Sequence, residues 1–396
     1  MKKNLIYNAK VITPARVIEN GFVVYEDGKI TQVGQNVDLS AFDCEKLDAK
    51  GNYLSPGFID IHCHGGGDAD FMDGTFDAYI TAATLHSKYG TTALMPTLTT
   101  GPDEDMINSF KIFHQAKNSD YNGAKLLGIH MEGPYFNPAQ AGAQDPRYIK
   151  SPTKEHYEML FNASNGAIAR WSVAPELPGA AEFGKFLTQK GVLASIGHTN
   201  AIYDDVLVAF ENGFNLLTHF YSGMSTITRD SEGYRQLGVI ESGYVIDDMC
   251  VELIADGHHL PKEILKLVYK SKGADKIALV TDSMRGAGMP DGETVLGNID
   301  TGLKCIIDRG VAKLPDKTAF AGSVSTADRL VRVMHKIADV NIVDSVKMMT
   351  LTPAKLINMD LTKGSITVGK DADLVIFDDN INVSLTIVEG KIVYKA

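Results

Sequence analysis

A chain of 396 residues, 44% hydrophobic and 22% charged, has ordinary globular composition and ample apolar material for a sizeable core. It is longer than a typical single domain, so one large domain with a smaller companion is expected. The formal charge of −11 argues against nucleic acid or an anionic membrane surface as main partner, while leaving room for an anionic small molecule in a locally basic pocket.

The opening stretch, Met1-Lys2-Lys3-Asn4-Leu5-Ile6-Tyr7, is basic but lacks a long apolar run, so no signal peptide is expected. Residues 21–25 and 29–33 read as strands around the turn Asp27-Gly28. From about residue 55 to 355, short apolar runs alternate with amphipathic stretches. The predicted strands are 57–62, 91–97, 125–130, 169–174, 192–196, 215–220, 250–255 and 276–281. Two of the intervening helices, 76–89 and 260–272, stop at Gly90 and Gly273. Eight such units predict an α/β fold, a parallel (β/α)8 TIM-type barrel. The Gly- and Asp-rich stretch 286–318 reads as an extension of the last strand's loop. Residues 372–377, 385–388 and 392–394 return to β texture around Glu389-Gly390. Neither end has enough residues for its own core. Segments 1–54 and 356–396 are therefore expected to form one small β-sandwich, with the barrel over 55–355.

No run approaches about 20 uninterrupted apolar residues, so no membrane span is expected. The scattered Cys44, Cys63, Cys250 and Cys305 match neither a zinc ribbon nor a disulfide framework and fit a reducing, cytoplasmic setting.

The polar residues of the predicted strands fall at one end of the barrel. His62 and His64 close the first strand and share a face, with Cys63 turned away. Glu132 follows the third strand, His198 the fifth, His219 lies at the end of the sixth, and Asp282 follows the eighth. One isolated histidine is most often a hydrogen-bonded core residue. Six metal-type residues at the C-terminal ends of five strands, where barrel active sites are built, predict a metal centre. Imidazole with carboxylate suits zinc, iron, manganese or cobalt without choosing among them. A bound ion would acidify water, and Asp282 is the natural general base. His130 shares the inward face of its strand with Glu132 and is expected to support a ligand. His86, His114, His156 and His335 fall in helix-like stretches and are read as structural.

The string Pro56-Gly57-Phe58-Ile59-Asp60-Ile61-His62-Cys63-His64 resembles the first-strand signature of the amidohydrolase superfamily. Gly364-Ser365-Ile366 with Gly369-Lys370-Asp371-Ala372-Asp373-Leu374-Val375 resembles its returning β strand. More narrowly, Gly128-Ile129-His130-Met131-Glu132-Gly133-Pro134, Val173-Ala174-Pro175-Glu176, Gly197-His198-Thr199, Ile254-Ala255-Asp256-Gly257-His258-His259, Val280-Thr281-Asp282 and Ala321-Gly322-Ser323 resemble the N-acetylglucosamine-6-phosphate deacetylases. Many superfamily members carry a carbamylated lysine on the fourth strand, and 169–175 contains none.

The resemblance implies hydrolysis of an N-acetylated amino-sugar phosphate to the amine and acetate, with one or two divalent ions (zinc, iron or another transition metal) per subunit. Glu132, His198 and His219 would hold the main ion, and His62 and His64 a second one bridged by Glu132. Asp282 would move the proton, and His259, rather than its neighbour His258, would stabilise the oxyanion. Substrate contacts are expected from Ser222, Gly223, Gln144, Ala321 and Gly322, with Arg229, or else Arg235 or Arg147, on the phosphate. The family usually has a histidine where Gln144 stands and an Asn-Ala pair at the position of Ser222-Gly223. These departures motivate an alternative: a deacetylase for N-acetylgalactosamine-6-phosphate or another N-acetyl sugar. A cyclic-amide hydrolase, a deaminase and a non-catalytic sugar-phosphate-binding protein are further alternatives. The family's sharing of a loop between subunits implies a homodimer.

Overall fold

In the computed structural model, which describes residues 3–396, eight parallel strands form the barrel. They are β1 (Phe58–Cys63), β2 (Thr91–Leu98), β3 (Ile129–Glu132), β4 (Ile168–Val173), β5 (Leu193–Ile196), β6 (Phe214–Leu217), β7 (Cys250–Leu253) and β8 (Ile277–Leu279), paired in that order. The seam between β8 and β1 closes just above the strands. There Asp282 N–H donates to His62 C=O at 2.9 Å and His64 N–H to Ser283 C=O at 2.8 Å. The predicted third strand divides, because the chain pairs first as Lys125–Leu126 and again only from Ile129. Between them Gly128 lies so close to β4 that an added Cβ would come within 2.5 Å of the Ala169 side chain.

Alternation along the strands sorts the apolar residues into two layers. Ile59, Ile61, Met95, Leu216, Ala278 and Val280 pack together inside the barrel. Phe58, Leu94, Met131, Trp171, Leu253 and Leu279 belong to a larger core shared with the surrounding helices. The helix Phe76–Ser87 starts on Thr75, whose hydroxyl accepts the Ala78 N–H, and buries Ala78, Tyr79, Ala82, Ala83 and His86. The helix Lys262–Lys272 ends at Gly273, with φ of 70°, an angle that glycine adopts without a side-chain clash. Among the described residues no helix is long and apolar enough to cross a membrane.

Both chain ends build one further β unit. Its strands form a single hydrogen-bonded sheet in the order Lys391–Lys395, Val383–Val388, Leu374–Phe377, Tyr53–Pro56, Lys3–Ile12, Val17–Glu26, Lys29–Gln35, with Glu45–Asp48 beside Lys3–Ile12. The sheet folds over itself: Ile30 N–H donates to Lys370 C=O at 2.8 Å, and Ala372 N–H to Gly28 C=O at 2.7 Å. Ile6, Val11, Val23, Leu54, Leu374 and Ile387 fill its interior. The buried Lys363 ties it together, 2.9 Å from Asp371 and 2.7 Å from Asp373. The Gly- and Asp-rich extension after β8 is a small antiparallel sheet, Gly292–Leu296, Leu303–Asp308 and Val311–Lys313, with one edge over the barrel mouth.

Candidate active site and metal centre

Parallel strands deliver all their C-terminal ends to one face, and the metal-type side chains gather there. Glu132 is the last residue of β3, and His62 lies within β1 with His64 just beyond it. His198 and His219 stand past β5 and β6, and Asp282 past β8. Three of these residues have left-handed backbone, with φ of 49° at His198, 33° at His219 and 47° at Asp282. Each such angle costs of order ~1–3 kcal/mol outside glycine, so tertiary contacts hold these turns against local preference. Gly223 permits close approach to His198, since an added Cβ would lie 3.1 Å from its Nδ1. Gly322 does the same at Asp282, with a Cβ position 2.8 Å from the Asp282 carbonyl.

Glu132 is the hub. Its Oε1 lies 3.0 Å from His219 Nε2, 3.3 Å from His198 Nε2 and 3.5 Å from His62 Nε2. Its Oε2 lies 3.2 Å from His64 Nε2. Asp282 Oδ1 is 3.3 Å from His62 Nε2 and 3.2 Å from His64 Nε2. All six side chains are buried. Two triads result, His62-His64-Glu132 and Glu132-His198-His219, sharing the carboxylate.

The donor set fits a transition-metal ion. Ligand bonds of about 2.0–2.1 Å in a tetrahedron place neighbouring ligand atoms roughly 3.3 Å apart, close to the spacings found here. His62 Nε2 and His64 Nδ1 are buried without a hydrogen-bond partner, and His198 Nε2 faces His219 Nε2 at 3.1 Å. Electrostatics agree. Burial alone would lower His62, but Asp282 and Glu132 raise it to about 9. Burial would raise Glu132, but the imidazoles, His62 foremost, hold it well below the usual carboxylate range. A site that attracts protons this strongly attracts cations generally. The other ring nitrogens have acceptors: His198 Nδ1 lies 2.8 Å from Gln140 C=O, His219 Nδ1 3.2 Å from Ser222 C=O, and His62 Nδ1 3.2 Å from Glu252 Oε2.

The cavity above this cluster is lined by His64, His198, His219 and Asp282 on its floor and by His259 and Phe320 at its side. His259 packs edge-on to Phe320, with ring centroids 4.8 Å apart. Its Nδ1 lies 2.8 Å from Asp256 Oδ2. Burial alone would raise Asp256, but the His259 hydrogen bond holds its carboxyl below the usual range. His258 points elsewhere, its Nε2 2.7 Å from Arg329.

Several expected substrate contacts are placed differently. Gln144 lines the cavity, but its amide is turned toward Glu132 and the loop after β2. Nε2 donates to Glu132 Oε2 at 2.7 Å, and Oε1 accepts Thr99 Oγ1–H and Thr100 N–H, both at 2.9 Å. Ala321 is buried against Met284, Leu296, Cys305 and Ala312, behind the wall rather than on it, while Gly322 does line the cavity. Ser222 and Gly223 line it too, but the Ser222 N–H is taken up by His219 C=O at 2.9 Å. Arg229 sits on an exposed hairpin, Thr228–Arg229 against Arg235–Gln236, and donates to Gly233 C=O at 2.6 Å. It does not line this chain's cavity, and neither do Arg235 and Arg147. His130 touches His62 edge-on at 4.6 Å, but its hydrogen bonds go to Thr97 and Ser172 rather than to a ligand.

Three residues around the site escaped the sequence reading: Arg170 on β4, Glu252 on β7 and Asp256 beyond it. The available signal was an isolated charge within each of two otherwise apolar barrel strands, and a carboxylate three residues before His259.

Comparison with known proteins places the chain in a family. Residues 53–393 match the model of the amidohydrolase family. The chain is similar to an N-acetylglucosamine-6-phosphate deacetylase of Bacillus subtilis (strain 168), with 34% identity over 98% of this chain and 97% of the relative. It is similar to the enzyme of that name from Lysinibacillus sphaericus at 33% identity over the same shares. Its fold resembles the crystal structure of N-acetylglucosamine-6-phosphate deacetylase from Pasteurella multocida, with a TM-score of 0.91 and 28% identity over the whole of both chains. The chain belongs to the amidohydrolase family.

Proposed function

We propose that this protein hydrolyses the acetamide of N-acetylglucosamine-6-phosphate to glucosamine-6-phosphate and acetate, and that its site works as follows. The observation that carries the reading is the placing of Asp282 against His62 and His64 at the floor of a cavity that His198, His219 and His259 also line. Glu132, His198 and His219 would hold one divalent ion, and His62 and His64 with Glu132 would hold a second. A divalent ion there supplies Lewis acidity and acidifies water.

The remaining chemistry belongs to the chain. Asp282 accepts a proton from the water whose oxygen attacks the acetamide carbon. His259 donates a hydrogen bond to the carbonyl oxygen as negative charge develops on it. When the carbon–nitrogen bond breaks, Asp282 returns the proton to the leaving nitrogen, which departs as the amine. Gly322 keeps the backbone clear beside Asp282, and the apolar Ile254 and Leu296 help to exclude bulk water.

Among the described residues, no lysine or arginine lines the cavity of one chain, although the substrate carries a phosphate. We infer a cytoplasmic homodimer in which Arg229 reaches the neighbour's site from its exposed hairpin, with Gly223 N–H as a further phosphate contact. Cys44, Cys63, Cys250 and Cys305 are unpaired, in keeping with a reducing compartment.

The test is acetate release from N-acetylglucosamine-6-phosphate, with elemental analysis of the same preparation. Asp282→Asn is expected to abolish turnover and retain the metal. Full activity in that variant would refute the proton-transfer role, and failure to release acetate in the wild type would refute the reaction.

A further inference from the structure

We propose that the buried Arg170–Glu252 ion pair is a positioning device that orients one histidine from each triad, His62 and His219, for metal binding. The inference rests on the metal reading above. Both residues are 0% exposed, and neither lines the cavity, so neither has access to substrate. Replacing a buried ion pair by packed apolar residues is often neutral or stabilising, so stability alone gives weak reason for this one.

The connections are specific. Arg170 donates through Nη1 to Ile61 C=O at 3.1 Å and through Nη2 to Thr218 Oγ1 at 3.0 Å. Ile61 and Thr218 directly precede His62 and His219. Its Nε donates to Ser195 Oγ at 3.1 Å, and Nη1 also holds Glu252 Oε1. The other carboxylate oxygen, Oε2, lies 3.2 Å from His62 Nδ1 and accepts the His219 backbone N–H at 3.0 Å. One oxygen thus contacts a member of each triad.

A carboxylate only accepts hydrogen bonds. Glu252 therefore requires the proton of neutral His62 on Nδ1, which leaves the Nε2 lone pair directed toward Glu132 and Asp282 as ligation demands. Arg170 fixes which way the carboxylate faces, and its guanidinium cannot release its proton under ordinary conditions.

The test uses the full chain in two states. Nitrogen-15 NMR of histidine-labelled, metal-free protein at about pH 10, where His62 is neutral, reads its tautomer, assigned through His62→Gln. Titration of the metal-free protein with zinc reads the number of ions and their affinities. The expected wild-type result is Nδ1–H at His62. In Glu252→Gln the amide cannot satisfy Arg170 and His62 as the carboxylate does. That variant should lose the Nδ1–H form, with zinc affinity at the His62–His64 position falling about 10- to 100-fold. The double variant Arg170→Met with Glu252→Leu removes the charges together, guards against misfolding from an unpaired charge, and should show the same loss.

Nε2–H at His62 in the wild type overturns the proposal without any variant. So does unchanged zinc affinity and tautomer in either variant with wild-type circular dichroism. A wild type that binds a single zinc ion while showing Nδ1–H at His62 would end the two-ion reading and still support the positioning role.

Discussion

The Asp256 carboxylate lies 2.8 Å from His259 Nδ1 and accepts the backbone N–H groups of both His258 and His259, each at 2.8 Å. This fixes a proton on Nδ1 and leaves Nε2 as the ring atom for the substrate. To donate from Nε2 as well, His259 must carry two protons. Asp256→Ala should therefore lower kcat by about 10²–10³, the usual consequence of losing an oxyanion donor, with a smaller change in KM. Asp256→Asn should retain more activity: its amide N–H can turn the ring to the Nε2–H tautomer, an uncharged but still usable donor. Steady-state acetate release checks both. An Asn variant slower than the Ala variant would contradict the assignment.

Gln144 couples the loop after β3 to the Glu132 carboxylate, accepting from Thr99 and Thr100 while donating to Glu132 Oε2. Removing a partner of a ligating carboxylate typically weakens metal binding about 10- to 100-fold. Gln144→Leu is expected to show that loss by chelator competition, with kcat at saturating metal changed much less. Gln144→Glu should bind metal no better than the Leu variant, because it sets a second acceptor-only group against Glu132.

The barrel and the gathering of metal-type residues at one end were legible because strand alternation and the βα repeat leave direct traces in sequence: His62, Glu132, His198, His219 and Asp282 each follow or end an apolar run. What was not legible depends on side-chain direction across strands. Gln144 reads as a loop residue available to a phosphate, and only the folded loop reveals that its amide turns inward to Glu132. Arg170 and Glu252 lie 82 residues apart and meet only because β4 and β7 face each other across the barrel. Arg229 has the right chemistry for phosphate, but its hairpin stands off this chain's cavity. Residue type thus pointed to the buried carboxylate–imidazole cluster, while supporting contacts between distant strands left no periodic signal.

Buried phenols make the fold sensitive to alkali. Burial, with a smaller contribution from Glu45, pushes Tyr25 up to about 12. Burial likewise carries Tyr121 to about 12, with its hydroxyl donating to Ala124 C=O at 2.9 Å. An unfolded tyrosine titrates near ~10, so the native state holds these protons longer than the unfolded state does. The associated stability is fully present below about pH 10 and is lost as pH rises toward 12. Thermal melts should show Tm falling over that window. The Tyr25→Phe/Tyr121→Phe double variant should fall less steeply, and an equal slope would show that other groups govern the loss.

Arg229 gives the sharpest test of how the site is completed. Its side chain is exposed and, among the described residues, is bonded within its own hairpin, and no described cation lines the cavity of its own chain. A hydrogen bond to a charged group is worth about 1.5–3 kcal/mol. Arg229→Ala should therefore raise KM for N-acetylglucosamine-6-phosphate by roughly 10- to 100-fold and leave turnover of unphosphorylated N-acetylglucosamine unchanged. Mixing two variants identifies which chain the arginine serves. An Arg229→Ala protomer keeps Asp282, and an Asp282→Asn protomer keeps Arg229. If the hairpin crosses the interface, co-refolding the two variants rebuilds one complete site in each heterodimer, so activity at low substrate should partly recover. If Arg229 instead swings into its own cavity, every site in the mixture lacks one group or the other, and activity at low substrate stays at the level of the separate variants.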